Sequence, residues 1–205
     1  MEAVTGSALE WGVAAKTLTG QSASGDRYVV IPLPQGILVA VMDGLGHGEE
    51  AAASARVAAA TLERYAGESV ITLVRRCHDN LKTTRGVVMS LAAFNRGDET
   101  MTWMGVGNVE GVLIHADPVV NPHAETLLLR GGVIGGQLPP LRAAVIALTP
   151  GDTLILHTDG IRALPLREIA LDEPPQRIAS GILDRYAKST DDVLVLVGRY
   201  NGKDS

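Results

Sequence analysis

Short apolar segments rich in Val, Ile and Leu recur along the chain, broken by Gly, Pro and Asp. They predict strands at Leu9–Lys16, Tyr28–Pro32 and Ile37–Met42. Two helical patterns follow. Glu49–Tyr65 is rich in Ala, Leu, Glu and Arg, with acidic residues in its first turn and Gly67 just past its end, and Ser69–Thr84 reads as its partner. A second strand-rich block then covers Val87–Asn95, Thr100–Val106, Gly111–Ala116, Thr126–Arg130, Ala143–Leu148 and Thr153–His157, with turn signals such as "NRGDET" and "TPGDT" between them. Pro174–Tyr186 is the last predicted helix and Val193–Tyr200 the last strand. This order lacks the regular βαβ alternation of a doubly wound fold. It predicts an α+β protein whose mainly antiparallel strands bury a face against helices.

Composition narrows the picture further. A chain of 205 residues, 46% hydrophobic, suffices for one domain with a substantial core; we expect residues 1–200 to form it and 201–205 to be a loose tail. The net charge of -5 gives no general basic surface, so no nucleic-acid partner is expected. Cys77, the only cysteine, can form neither an internal disulfide nor a thiolate zinc site and sits in an apolar-periodic stretch, so it reads as a buried thiol. The N-terminus has no secretory pattern, and no apolar run reaches roughly 18 residues. The expected location is cytoplasmic, without a membrane partner.

Candidate chemistry begins at "VMDGLGHGEE". Its glycines at 44, 46 and 48 do not make the dinucleotide fingerprint, because Glu49 stands where the last glycine is needed, and no Lys-Ser/Thr follows to make a P-loop. What remains is Asp43 at the end of an apolar strand, beside glycines that permit close backbone approach by a ligand. The arrangement recurs. Asp159-Gly160 ends the strand "LILHTDGI", Asp191-Asp192 opens "TDDVLVLV", and Asp26 precedes an early strand. Acidic side chains converging from rigid strand ends are what a hard divalent cation needs.

In that order, "SGD" (Gly25-Asp26), "VMDGLGHG" (Asp43-Gly44), "HTDGI" (Asp159-Gly160) and "TDDVLVLV" (Asp191-Asp192) resemble the metal-dependent PPM serine/threonine phosphatases, in particular their bacterial SpoIIE-like branch. The intervening "GVGNVEG" and "RGGVIGGQLPPLR" also resemble that branch, and the similarity runs from Trp11 to Tyr200. The resemblance implies an αββα sandwich with Mn²⁺ or Mg²⁺, two ions in number, at one edge of the two sheets. It implies that Asp43 bridges the ions, that the Gly44 carbonyl is a further ligand, that Asp159 and Asp191 hold the first ion, and that Asp26 belongs to the second. Many relatives carry a further acid after this last position, where Arg27-Tyr28-Val29 stand here. Asp192 would lie behind the ligands or on an additional ion.

Two cations about 3.5–4 Å apart would lower the pKa of a bridging water for in-line attack on a phosphate, so Asp43 and Asp159 would act through that water and no phosphoenzyme is required. His47 on the glycine loop is a candidate proton donor to the leaving oxygen. His157 reads as a core histidine, and His78, His115 and His123 as structural or surface residues. Lys16, Arg85 and Arg142 are candidate phosphate contacts by charge alone. A free-standing catalytic domain resembles the RsbX-like stressosome phosphatases of the branch, which implies phosphorylated STAS-domain stressosome proteins as partners. The alternatives are a SpoIIE-like phosphatase acting on a phosphorylated anti-anti-sigma factor, and a non-catalytic phosphoprotein-binding pseudophosphatase. We further expect Ile161–Pro175, which leaves the Asp159 strand, to contribute to partner recognition.

Overall fold

The structure is a computed structural model that describes residues 8–120 and 122–202. Among the described residues, eleven strands and three α-helices follow one another as β1 (Leu9–Lys16), β2 (Asp26–Leu33), β3 (Gly36–Gly44), α1 (Glu49–Tyr65), α2 (Val70–Leu81), β4 (Val87–Asn95), β5 (Thr100–Val106) and β6 (Glu110–Ile114). After them come β7 (Ala124–Thr126), β8 (Leu129–Arg130), β9 (Ala144–Ala147), β10 (Thr153–His157), α3 (Pro175–Tyr186) and β11 (Val193–Tyr200). One sheet runs β1-β11-β10-β6-β7; the other runs β2-β3-β4-β5-β8, with β9 also paired to β5. The only parallel pair among the described strands is β5 with β8. The expected α+β sandwich of two mainly antiparallel sheets flanked by helices is therefore what the chain forms.

Three apolar layers explain why several strands read as continuous hydrophobic runs rather than alternating ones. On β3, Leu38, Ala40 and Met42 pack towards α1 and α2, while Ile37, Val39 and Val41 enter the core between the sheets. On β11, Val193, Val195 and Val197 face α3, and Leu194 and Leu196 face the inter-sheet core. Each central strand is thus buried on both faces, and neither face can be polar.

Helix placement depends on small residues. The buried face of α1 is largely alanine, from Ala51 to Ala59, so its backbone can approach the sheet closely. A Cβ on Gly44 would lie 2.1 Å from the Ala51 carbonyl oxygen, and one on Gly12 would lie 2.3 Å from Gln176 Cα at the start of α3. Gln176 then fixes that contact, donating from Nε2 to the Val13 carbonyl at 2.8 Å and accepting from the Val13 N–H at 3.2 Å.

The predicted strand Thr126–Arg130 is in fact two. Ala124–Thr126 pairs with β6 in one sheet, and Leu129–Arg130 pairs with β5 in the other. Between them the chain crosses the sandwich. Leu127 is buried in the inter-sheet core while Leu128 is exposed, and Gly105 and Gly111 leave the room that Leu127 occupies. An apolar run cannot by itself distinguish a strand from such a crossing. At the other end of the chain, the Asn201 N–H donates to the Ala8 carbonyl at 2.8 Å and Gly202 is buried. The rest of the expected tail, 203–205, lies outside the described residues.

Candidate metal centre

Antiparallel pairing places Asp26 at the start of β2 directly opposite Asp43 near the end of β3. Paired positions project from one face of a sheet, so the two carboxylates share a side. The second sheet adds Asp159, two residues past the end of β10, and Asp191 and Asp192, just before β11. Residues separated widely in sequence thus meet at one end of the sandwich because strands from both sheets end there.

The mutual influence of these carboxylates is large. Burial, and then the charge of Asp43, push Asp26 up to about 8. Burial, followed by the charges of Asp159, Asp191 and Asp192, pushes Asp43 up to about 7. Asp191 is raised as well, mainly by burial and by Asp159, with Lys188 partly offsetting the effect. Desolvation and like charge both disfavour ionisation, and a cation placed among the oxygens would reverse both. Hard oxygen donors held under such strain fit Mg²⁺ or Mn²⁺, which prefer carboxylate, carbonyl and water. Among the described residues, no three Asp, Glu, His or Cys side chains form a ready-made cage for a single ion. The acids form an open cluster instead.

A layer of hydrogen bonds behind the cluster sets its shape. Thr158 donates from Oγ1 to Asp26 Oδ2 at 2.7 Å and accepts from the Leu194 N–H at 3.0 Å. Asp192, buried, uses one oxygen to accept from the Leu18 N–H and the other to accept from the Gly25 N–H, each at 2.7 Å. The Gly25 carbonyl accepts from the Gly44 N–H at 3.1 Å. Asp192 therefore ties the loop between β1 and β2 to the start of β11, and its oxygens are already occupied by backbone donors. Its sequence neighbour differs. The Asp191 carboxylate accepts from the Asp192 N–H at 2.9 Å and faces the cluster.

Asp159 is held from two directions. Asn108 donates from Nδ2 to Asp159 Oδ2 at 2.8 Å, and Lys188 donates from Nζ to the Asp159 carbonyl. A Cβ on Gly160 would lie 2.0 Å from the Asp192 carbonyl oxygen, so the Asp-Gly pair is needed for the strand ends to come this close. The same holds for Gly44, whose missing side chain makes room for α1 rather than for a ligand. Neither Asn108 nor Thr158 was singled out from sequence, although both lie inside quoted motifs, "GVGNVEG" and "HTDGI". A neutral amide and a hydroxyl carry no charge signal.

The other candidates fall in several places. His47 is exposed on the loop before α1, and among the described residues it makes no hydrogen bond or ion pair. His157 is buried, with Nδ1 3.0 Å from the Thr158 carbonyl and Nε2 3.7 Å from Glu110. His115 has a context that the sequence did not give it. It is buried between Asp152 and Glu125, each 3.2 Å away, beyond the start of β10 and hence at the other end of that strand from Asp159. Arg85 lies against Gly46, where a Cβ would be 2.6 Å from Nη1, and pairs with Glu50. Of the basic candidates, it is the one placed on the glycine loop. Cys77 is buried against the Ala58 carbonyl, and burial pushes its thiol up to about 12.

The segment Ile161–Pro175 leaves the cluster quickly. Ile161 bridges to Ala187 near Asp159, but the Leu171 and Glu173 carbonyls both accept from Arg199 at 2.6 Å, near the far end of β11. Only its first residues lie beside the acids, because the remainder runs along α3.

Comparison with known proteins gives concordant relatives. The family model described as stage II sporulation protein E (SpoIIE) matches residues 34–201. The chain is 28% identical over 183 residues to the phosphoserine phosphatase RsbX of Bacillus subtilis (strain 168), covering 88% of this chain and 89% of that protein. A crystal structure of RsbX in complex with magnesium superimposes with a TM-score of 0.84 at 26% identity, covering 97% of each chain. A chain from a structural study of the bacterial stressosome, described as a modular system adapted to control secondary messenger signalling, superimposes with a TM-score of 0.86 at 31% identity, covering 93% of this chain and 99% of that one.

Proposed function

The chain belongs to the SpoIIE family of PPM-type phosphatases, and from that membership we propose that it is a metal-dependent phosphoserine/phosphothreonine protein phosphatase of the RsbX kind. The observation that carries the proposal is the meeting of Asp26 and Asp43 from one sheet with Asp159 and Asp191 from the other, where burial and neighbouring carboxylate charge raise the pKa values of Asp26, Asp43 and Asp191. Asp43, with the Gly44 carbonyl, Asp159 and Asp191 would hold one Mn²⁺ or Mg²⁺ ion, and Asp26 with Asp43 would hold a second. When bound, the ions supply positive charge at the phosphoryl oxygens and lower the pKa of the attacking water.

The chain's own residues prepare that chemistry. Burial and like charge hold the Asp26 and Asp43 carboxyls above the usual carboxylate range, and a cation held by them would favour the ionised form of both. Thr158 and Asn108 keep Asp26 and Asp159 turned to defined partners. His47, exposed on the glycine loop, would protonate the leaving serine or threonine oxygen, and Arg85, which lies against Gly46 of that loop, would receive a phosphoryl oxygen. Cys77 takes no part, since its thiol is protonated and enclosed between α1 and α2.

As substrates we propose phosphorylated STAS-domain stressosome proteins, a reading supported by the similarity to RsbX and to the stressosome chain. A cytoplasmic location and one catalytic domain over residues 1–200 complete the reading. Its test is release of phosphate from a phosphorylated STAS-domain stressosome protein by the purified chain, with Mn²⁺ and then with EDTA. Turnover that persists in EDTA removes the metal mechanism. Metal-dependent turnover of an aryl phosphate, with none on the stressosome protein, keeps the enzyme and removes the substrate.

A further inference from the structure

Asn108 stands just before β6, opposite Asp159 in the register that β6 and β10 set where Glu110 pairs with His157. It lies between β5 and β6, and its amide Nδ2 donates to Oδ2 of Asp159, which follows β10. The turn carrying it is fixed at three points. Buried Ser90 on β4 donates from Oγ to the Val109 carbonyl at 2.5 Å. The Gly107 N–H donates to the Arg130 carbonyl at 2.8 Å. Gly107 itself has φ +96°, and a Cβ there would lie 2.1 Å from Val88 Cγ1, so the turn is closed to any other residue. The neighbours of Asn108 are thus bolted to the β2–β5 sheet, while its own side chain is exposed and packs in no core.

Asp159 is only partly buried and stands among like charges. Unrestrained, its carboxylate would turn to solvent, where its charge is best screened. Lys188 fixes the Asp159 backbone but does not touch its carboxylate. The Asn108 amide does, and as a neutral donor it takes one oxygen without competing for a cation. We infer that Asn108 is a positioning residue for Asp159: it engages Oδ2, leaves Oδ1 for the cluster, and is itself held in place by Ser90. The inference rests on the reading of Asp159 as an ion ligand. Groups that orient ligands from behind typically change metal affinity by about 10- to 100-fold.

The experiment is calorimetric titration of metal-free protein with MnCl₂ for wild type, Asn108→Ala, Asn108→Asp and Ser90→Ala, with kcat and KM for an aryl phosphate at saturating Mn²⁺. Asn108→Ala is expected to weaken Mn²⁺ binding roughly 10-fold or more, with an unchanged melting temperature when metal-free and most of kcat recovered at high Mn²⁺. Ser90→Ala should move affinity in the same direction by less. Mn²⁺ affinity of Asn108→Ala within twofold of wild type overturns the inference and leaves the phosphatase reading intact. Tighter binding by Asn108→Asp overturns it too, since position 108 would then be a direct ligand. Wild type that takes up no Mn²⁺ removes the metal reading, and this inference with it.

Discussion

Asp26 and Asp43 face each other in register across β2 and β3, with nothing between their strands to separate two carboxylates that burial has partly stripped of water. No acid pair would be built there for stability. Their pKa values, raised to about 8 and about 7, give the site a measurable signature in the absence of metal.

Because both groups have folded-state pKa values above those of the unfolded chain, the native state binds more protons than the unfolded state between roughly pH 4 and pH 8. Their contribution to stability is fully present below the unfolded value and is lost as pH rises through the folded one. Metal-free wild type should therefore lose melting temperature from pH 5 to pH 8 relative to Asp26→Asn, and Mn²⁺ should restore it at pH 8. Parallel pH profiles of the two proteins in EDTA would contradict the raised pKa values.

Hydrolysis of an aryl phosphate should require Mn²⁺ or Mg²⁺ and stop in EDTA. Asp43→Asn and Asp159→Asn should each lower kcat/KM at least about 100-fold, since removing one ligand charge forfeits several kcal/mol of transition-state stabilisation. Circular dichroism would check that both remain folded. Wild-type turnover in either variant would take that residue out of the centre.

Asp192→Asn tests a structural carboxylate beside proposed ligands. The amide can accept only one of the two N–H bonds from Leu18 and Gly25 and turns a donor towards the other. Each bond to a buried charge is worth about 1.5–3 kcal/mol. With Mn²⁺ present to quench repulsion within the cluster, the loss should appear as a melting temperature lower by roughly 3–12 °C. An unchanged value would mean that the loop between β1 and β2 is held by something else.

Cys77 should be inert in the native protein. With its thiol pushed up to about 12 and enclosed between two helices, it should not react with an aromatic disulfide at pH 8 until the chain unfolds. Cys77→Ser should keep full metal-dependent activity per folded molecule. Rapid native-state labelling together with loss of activity would revive a thiol role.

Most elements were legible along the chain because local physics decides them. The expected bounds of β1, α1, β4, β5, β10 and β11 match the observed ones, since apolar runs, helix formers and turn residues all point the same way there. The acids at strand ends were legible for the same reason: Asp43 near the end of β3, Asp159 just after β10 and the pair at Asp191 just before β11 all stand at an unmistakable apolar strand. Tertiary structure decided everything that depends on a neighbour distant in sequence. It split Thr126–Arg130 between two sheets, because Leu127 had an inter-sheet core to enter. It divided two adjacent aspartates, turning Asp191 to the cluster and Asp192 to two backbone N–H groups. It also brought Asn108 to Asp159 and Thr158 to Asp26, pairings of neutral donors with carboxylates for which composition and periodicity carry no signal. A strand's own pattern tells which residues are buried; which carboxylate a side chain meets depends on which strands pair and how the two sheets are stacked, and only the folded chain specifies that.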